Sequence, residues 1–202
     1  EARPSQSVTM FLVEKGTPGF TVSRALDKHG WRSSDTAELH FDDLRVPAEN
    51  VLGREGGGFY EIMKNFQNER LVIGAMAMGE AQAALELTIA YLRERKAFGE
   101  PLWSKQAIRQ RLAMLSARVE SCRQFIYVTA ARAAAGEDVV REVSMIKALA
   151  GELVNDVMYD CVQFHGGMGF MRESTIERMS RDARVQTIGG GATEVMYEEI
   201  AK

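Results

Sequence analysis

Hydrophobic and polar positions follow two different periods along the chain. In the first quarter, the apolar run VTMFLV at residues 8–13 is followed by a turn at residues 17–19 and by a second extended segment, FTVSR. The stretch TAELHFDD at residues 36–43 alternates between apolar and polar side chains, which is the pattern of a half-buried strand. The apolar positions of this stretch are Ala37, Leu39 and Phe41. Residues 1–54 are therefore predicted to be the C-terminal part of a β domain.

The remainder of the chain has a helical composition. After Glu55, the residues Ala, Leu, Met, Glu, Arg and Lys dominate, and proline occurs only at Pro101. Periodicity and glycine stops predict helices at about 59–96, 104–135, 139–164, 175–184 and 193–201. Long helices joined by short loops are typical of an antiparallel bundle. The predicted fold class is mainly α, with a helical bundle over residues 55–202 preceded by the last strands of the β domain.

Composition and charge exclude several classes of function. The 202 residues contain 25 Lys and Arg against 28 Asp and Glu, for a formal charge of −3. This balance provides no basic field for nucleic acid or anionic membranes. The sequence contains no run of about 18 apolar residues that would predict a membrane-spanning segment. We therefore expect a soluble, intracellular protein. Cys122 and Cys161 lie far apart without metal-ligand or redox spacing and are interpreted as packing residues in a reducing compartment.

Glu69 lies on the predicted long helix among apolar residues at helical spacing. Positions −3, +3 and +4 relative to it are Phe66, Val72 and Ile73, so its carboxylate projects from an apolar stripe. Desolvation there is expected to make the carboxylate a general base. The alternative is an ion pair with an arginine of a packed helix. Glu80 meets the same spacing criterion, so spacing leaves the choice between the two carboxylates open.

Three junctions of the predicted bundle are rich in cations or glycine. Residues 93–99 place cations at a helix C-terminus, where the helix dipole favours them in any protein. The sequence QFHGGMGF at residues 163–170 permits close backbone approach, and it is equally typical of a Schellman helix stop. The glycines at 189–191 precede a helix and expose N–H groups that suit an oxyanion or a phosphate, without a Walker motif. Three such junctions are more than packing requires.

Taken together and in this order, these segments resemble the acyl-CoA dehydrogenase family. The resemblance extends over the whole chain and rests on FLVEKGTPGF, SDTAELHFDDLRVPAENVLG, EGGGF, RKAFG, QFHGGMGF, RDAR and the final glycine turn. It implies that the chain is the second half of a subunit. The family's N-terminal helical domain and most of its central β domain would then lie outside these residues.

The resemblance also implies a set of cofactor contacts. Arg95, in RKAFG, would pair with the FAD pyrophosphate of a neighbouring subunit, a task that suits a guanidinium group. The other FAD contacts implied by the matching motifs are Phe98, Gln106, Gln163, Gly166 and Gly167. Because these contacts reach the FAD of an adjacent subunit, the resemblance implies at least a homodimer, and typically a homotetramer built as a dimer of dimers.

The reaction implied by the resemblance is α,β-dehydrogenation of an acyl-CoA thioester. In most branches of the family, the base is the Glu of a Tyr-Glu-Gly-Thr turn before the last helix, whereas residues 189–192 here read Gly-Gly-Gly-Ala. The isovaleryl-CoA and long-chain branches instead place the base in a Glu-Arg-Leu sequence on the long helix. Glu69, Arg70 and Leu71 occupy that place in this chain. The resemblance therefore favours Glu69 over Glu80.

The glycine turn keeps a role in this interpretation. Gly190 retains a backbone N–H that can donate to the thioester carbonyl, since that role needs no side chain. Arg70 and Gly189 are expected to contribute to substrate binding. The missing side chains remove bulk beside the reacting carbons, which suits a β-branched acyl group. Ala192 replaces a threonine that commonly contacts FAD, so one expected cofactor contact is weaker.

Three hypotheses of function follow. The first is a dehydrogenase for a branched short-chain or longer acyl-CoA that passes electrons to an electron-transfer flavoprotein, in the bacterial cytoplasm or the mitochondrial matrix. The second is an acyl-CoA oxidase-like flavoprotein that oxygen reoxidises. The third is that these 202 residues alone form a catalytically silent helical oligomerisation module.

Overall fold

A computed structural model describes residues 6–202, which form two compact units that divide between Asn68 and Glu69. The first unit contains four short strands: β1 (Met10–Phe11), β2 (Phe20–Ala25), β3 (Ala37–Phe41) and β4 (Val51–Leu52). Strands β1 and β4 pair antiparallel, and so do β2 and β3. The strands of this unit therefore form two-stranded ribbons rather than a layered sheet.

The β2–β3 ribbon differs from its prediction in burial. Phe20 lies opposite Phe41, and the two rings stack with their centroids 5.3 Å apart. The prediction of a half-buried β3 face is wrong for this chain, because Leu39 is 49 % exposed and Phe41 is 60 % exposed. A two-stranded ribbon has no second layer of its own to cover an apolar face, so alternation alone did not determine burial.

Five helices follow: α1 (Gly58–Glu94), α2 (Gln106–Ala134), α3 (Val140–His165), α4 (Thr175–Ala183) and α5 (Thr193–Ala201). Helix α1 begins in the first unit and belongs to the second unit from Glu69 onward. The predicted fold class, mainly α with short strands ahead of the helices, is confirmed. The sequence interpretation did not predict the small hairpin between α1 and α2, formed by β5 (Lys96–Ala97) and β6 (Glu100–Pro101).

The helix ends follow from local backbone chemistry. Gly136 after α2 has φ +83°, and Gly166 after α3 has φ +59°, a left-handed conformation that favours glycine. Phe98 and Gly99 both have positive φ at the tip of the β5–β6 hairpin, as a two-residue turn that matches strand twist requires. These residues set where each helix ends and where the chain reverses.

The core of the second unit lies among the first four helices. The fully buried positions of α1 include Ala77, Ala81 and Ala84, whose small side chains allow close approach of neighbouring helices. Helix α3 contributes more buried residues than any other helix and contacts α2, α4 and α5. Each large apolar side chain buried there contributes about 1.5–3 kcal/mol. The largest apolar members of the cluster are Met78, Leu92, Leu112, Leu115, Ile146, Met158 and Ile176.

Within the described residues, α1 meets the length and composition criteria for a membrane-spanning helix. Its most apolar 18-residue window has a mean hydropathy of 1.2, and 39 % of that window is buried inside the protein. Core helices of water-soluble proteins have the same properties, so this observation by itself assigns no membrane role.

Candidate functional site

The glycine loop, residues Gly189–Gly191, connects a short 3-10 helix (Arg184–Thr187) to the start of α5. The N–H of Gly189 donates to the carbonyl of Val185 at 2.8 Å and closes the preceding turn. Gly190 and Gly191 then adopt φ values of +70° and +111°. Because side chains rarely tolerate these angles, glycine is the residue that permits the loop to take this path.

Two buried cations hold consecutive carbonyl groups of this loop. Arg70 is only 6 % exposed, and its Nε donates to the carbonyl oxygen of Gly190 at 3.0 Å. Lys147 is fully buried on α3, and its Nζ donates to the carbonyl oxygen of Gly191. The sequence interpretation missed Lys147, although a lone lysine in the apolar segment SMIKALA of a predicted helix was a usable signal.

Position 190 has no room for a side chain. A Cβ added to Gly190 would lie 2.6 Å from the terminal methyl of Ile73 on α1. A residue other than glycine would therefore need both a strained backbone and a displaced Ile73. The volume that a side chain would occupy at position 190 is filled from α1 instead.

Glu69 lies next to Arg70 in sequence and one helical turn before Ile73, so it is on the same side of α1 as the glycine loop. Its predicted desolvation is wrong for this chain, because the Glu69 side chain is exposed. The neighbouring Val72 and Met76 are also exposed, by 56 % and 40 %. Helical spacing identified an apolar stripe correctly, but the described residues leave that part of the stripe uncovered.

Glu80 is the partly buried carboxylate of α1. Gln186, which is 2 % exposed, directs its Nε2 at both carboxylate oxygens of Glu80 at 3.3 Å. Burial raises the pKa of Glu80, the hydrogen bond from Gln186 lowers it, and the charge of Asp182 raises it further. Glu80 lies 11 residues after Glu69, about 16 Å along the helix axis. The desolvated environment expected for Glu69 is thus found at Glu80.

A second cluster of predicted site residues lies at the other end of α1. The ring of Tyr91 stacks on that of His165 with centroids 4.3 Å apart, and the Tyr91 hydroxyl donates to the His165 carbonyl at 3.3 Å. Arg95 follows one turn after Tyr91, and Gly166 follows His165 directly. The contact between α1 and α3 therefore brings the RKAFG hairpin and the QFHGGMGF turn together.

The exposed surface of this second cluster suits an external ligand. Phe98 is 95 % exposed at the hairpin tip. A Cβ added to Gly166 or Gly167 would meet no atom within 4 Å, so the turn has an open side that another molecule can approach closely. The polar and charged side chains predicted to contact the cofactor, all exposed, are Arg95, Gln106 and Gln163. A guanidinium, amide groups and an aromatic ring fit a dinucleotide with a pyrophosphate.

The two clusters are too far apart to act on one small group within one chain. From Glu69 to Glu94, at the end of α1, the helix rises about 38 Å at 1.5 Å per residue. Glu69 and the glycine loop therefore form one region, and Arg95 with the Gly166 turn forms another.

The family profile described as "Acyl-CoA dehydrogenase, C-terminal domain" matches residues 56–202. The long-chain specific acyl-CoA dehydrogenase, mitochondrial, of Sus scrofa is 43 % identical over 210 residues, which cover 100 % of this chain and 47 % of that protein. The isovaleryl-CoA dehydrogenase, mitochondrial, of Pongo abelii is 38 % identical over 191 residues, which cover 95 % of this chain and 45 % of that protein.

Among solved structures, a probable acyl CoA dehydrogenase from Mycobacterium abscessus is 49 % identical, with a TM-score of 0.95, over 98 % of this chain and 52 % of that one. The matched profile and the similar helical fold place the chain in the class of flavoprotein oxidoreductases. This chain belongs to the acyl-CoA dehydrogenase family. It spans about half the length of the curated relatives it matches. Members of this family are FAD-dependent oxidoreductases.

Proposed function

We propose that the protein containing this chain catalyses FAD-dependent α,β-dehydrogenation of an acyl-CoA thioester, with Glu69 as the base. The observation that carries this proposal is the hydrogen bond from Arg70 to the Gly190 carbonyl. It joins the Glu-Arg-Leu segment of α1 to a glycine loop that has no side chain to serve as the base.

The residues of this region would divide the chemistry between them. The Glu69 carboxylate would remove the α-proton of the thioester, and bound FAD would supply the acceptor for the β-hydride. The N–H of Gly190 would donate to the thioester carbonyl oxygen, where negative charge develops as the proton leaves. Arg70 would hold the loop beside the base, and Gly189 would leave room for the acyl chain. Proton removal by a positioned carboxylate contributes about 10²- to 10⁴-fold to such reactions.

We propose that the region around Arg95 binds the FAD of another subunit. The guanidinium group would pair with the pyrophosphate, and the open side of Gly166 and Gly167 would allow the cofactor close to the backbone. About 38 Å of helix separates this region from Glu69, which supports a contact between subunits. The proposed assembly is a homodimer at least, and a dimer of dimers in full. The remaining proposed contacts are Phe98, Gln106 and Gln163.

The proposed substrate is a branched short-chain or longer acyl-CoA, and the proposed electron acceptor is an electron-transfer flavoprotein. The missing side chain at Gly189 supports a substrate with bulk at the β-carbon, since a Cβ there would contact only Val185, whereas Ile73 fills the space beside Gly190. The pig and orangutan relatives are described as mitochondrial, and the Mycobacterium relative is bacterial. The proposed compartment is therefore the mitochondrial matrix in a eukaryote or the cytoplasm in a bacterium.

The test uses the full-length flavoprotein. Purified protein is mixed anaerobically with straight and branched acyl-CoA thioesters, and bleaching of the flavin absorbance is followed. Glu69→Gln is expected to lower the bleaching rate about 10²- to 10⁴-fold with FAD still bound, because the amide cannot accept the proton. Retention of the rate in Glu69→Gln would show that Glu69 is not the base.

Glu80→Gln is the matched control, since it makes the same change on the same helix at the carboxylate that hydrogen-bonds to Gln186. It is expected to leave the bleaching rate unchanged. Oxygen consumption with substrate and no added acceptor distinguishes the dehydrogenase from an acyl-CoA oxidase-like flavoprotein. Rapid consumption identifies an oxidase, and its absence supports electron transfer to a flavoprotein partner.

A further inference from the structure

We propose that Lys147 is a positioning residue for the dehydrogenation: its buried amine holds the carbonyl of Gly191 so that the glycine loop presents its N–H groups to the thioester. This inference rests on the proposed function. Lys147 lies on α3, outside the Glu-Arg-Leu segment and outside the glycine loop. Its side-chain amine contacts a backbone carbonyl of that loop.

The loop needs an external restraint. Three consecutive glycines have more backbone freedom than any other tripeptide, and none of them has a side chain to pack. Hydrogen-bond geometry for a thioester oxygen tolerates little displacement, because a misplacement of 1 Å costs about 10²-fold in rate. A loop of this composition therefore requires contacts from elsewhere to hold one conformation.

Arg70 and Lys147 provide those contacts from two different helices. Arg70 on α1 fixes the carbonyl of Gly190, and Lys147 on α3 fixes the carbonyl of Gly191. In a trans peptide the N–H points opposite to the carbonyl, and the described residues contain no cis peptide bond. The N–H of Gly191 therefore points away from Arg70, and the N–H of Ala192 points away from Lys147. The N–H of Gly190 belongs to the preceding peptide, so Arg70 and Lys147 restrain it indirectly, by holding the two peptides that follow it.

Stability does not account for a lysine at position 147. Burial lowers the pKa of the Lys147 amine, the nearby charge of Arg70 lowers it further, and Glu194 opposes the change. No salt bridge joins Lys147 to a carboxylate within residues 6–202. Burying an amine under these conditions costs more free energy than burying an apolar side chain of the same length. The hydrogen bond to the Gly191 carbonyl is the contact that requires an amine.

The test compares Lys147→Met with the wild type in the full-length holoprotein. Methionine keeps the length and removes the donor. We expect kcat to fall about 10- to 100-fold, with FAD content unchanged and the unfolding temperature equal or higher. The infrared carbonyl band of bound acyl-CoA thioester is expected to move toward its position in water. Lys147→Leu, which is smaller, has the same expected result and replaces Lys147→Met if that variant does not fold.

Arg111→Met is the matched control. Arg111 bridges α2 and α3 through Asp160 at 2.6 Å, so its loss is expected to lower the unfolding temperature and leave kcat unchanged. The inference is overturned if a folded Lys147 variant keeps the wild-type kcat and carbonyl band, or if kcat falls only in parallel with the unfolding temperature. Absence of flavin bleaching by any acyl-CoA in the wild-type protein would instead overturn the proposed function.

Discussion

Glu69 and Glu80 have the same side chain on the same face of one helix, and their surroundings differ. Glu80 is enclosed by Gln186 and the region of Asp182, whereas Glu69 is exposed beside the glycine loop. Helical spacing describes both positions equally well. The preference for Glu69 came only from the Glu-Arg-Leu motif, in which the chain resembles the long-chain and isovaleryl-CoA branches of the family. The catalytic role of Glu69 stays a prediction.

The raised pKa of Glu80 predicts a pH-dependent stability effect. The folded state favours the protonated form of Glu80. The stabilisation from this carboxyl group is therefore fully present below its ordinary pKa of 4.5, and it is lost as the pH rises through the raised pKa of the folded state. Glu80→Gln, which is neutral at every pH, is expected to raise the unfolding temperature at pH 7. The gain is expected to disappear below about pH 4.

Thermal unfolding at pH 4 and at pH 7 measures this difference. Glu86→Gln, at an exposed position six residues further along α1, is the control for the substitution itself and is expected to change the unfolding temperature little at pH 7. A lower unfolding temperature for Glu80→Gln at pH 7 than for the wild type would contradict the expected sign.

At the scale of elements, α3 connects the core to the glycine loop. It contacts α2, α4, α5 and the 3-10 helix that leads into the loop. Gly151 lies at a close approach between α3 and this 3-10 helix, since a Cβ there would lie 2.7 Å from the Gln186 carbonyl oxygen. Backbone atoms cannot yield as a flexible side chain can, so this glycine determines how closely the segment before the loop packs on α3.

Gly151→Ala is expected to lower the free energy of unfolding by about 1–3 kcal/mol through this overlap. Gly79→Ala, in the middle of α1, is the matched control, because a Cβ there meets nothing within 4 Å. It is expected to raise the free energy of unfolding by about 0.5–1 kcal/mol through helix propensity alone. Urea titration of both variants of the full-length protein measures the two values, and equal effects of the same sign would refute the overlap argument.

At the scale of the whole molecule, the 38 Å between the two site regions predicts complementation between subunits. Arg95→Met is expected to weaken FAD binding, and Glu69→Gln to abolish turnover, so each homo-oligomer is inactive. In a mixed dimer, one site combines the intact Glu69 of one subunit with the intact Arg95 of the other. Mixed dimers isolated after co-expression of the two variants are expected to have about one half of the wild-type activity per site, because one of their two sites is intact.

Differential tags on the two subunits isolate the mixed dimers, in which activity and FAD content are measured. Restored activity requires that Arg95 and Glu69 act in sites shared between subunits. Mixed dimers that remain inactive while wild-type dimers treated in the same way stay active would place both residues in the site of one subunit.

The sequence by itself determined the helices and their ends. Apolar residues at helical spacing favour an α-helix wherever that face is buried. Gly136 and Gly166 end their helices because glycine tolerates the positive φ found at both positions. The ordered motifs also determined the family to which the chain belongs. Local chemistry is sufficient for these features because each depends on residues close together in the chain.

Only the tertiary structure decided which polar groups meet. The pairing of Glu80 with Gln186 spans 106 residues, and that of Lys147 with Gly191 spans 44 residues. Burial likewise depends on neighbours from distant segments, which is why Leu39 and Glu69 are exposed although their spacing predicted cover. Periodicity states which face of an element is apolar, and the packing of distant segments determines what covers that face.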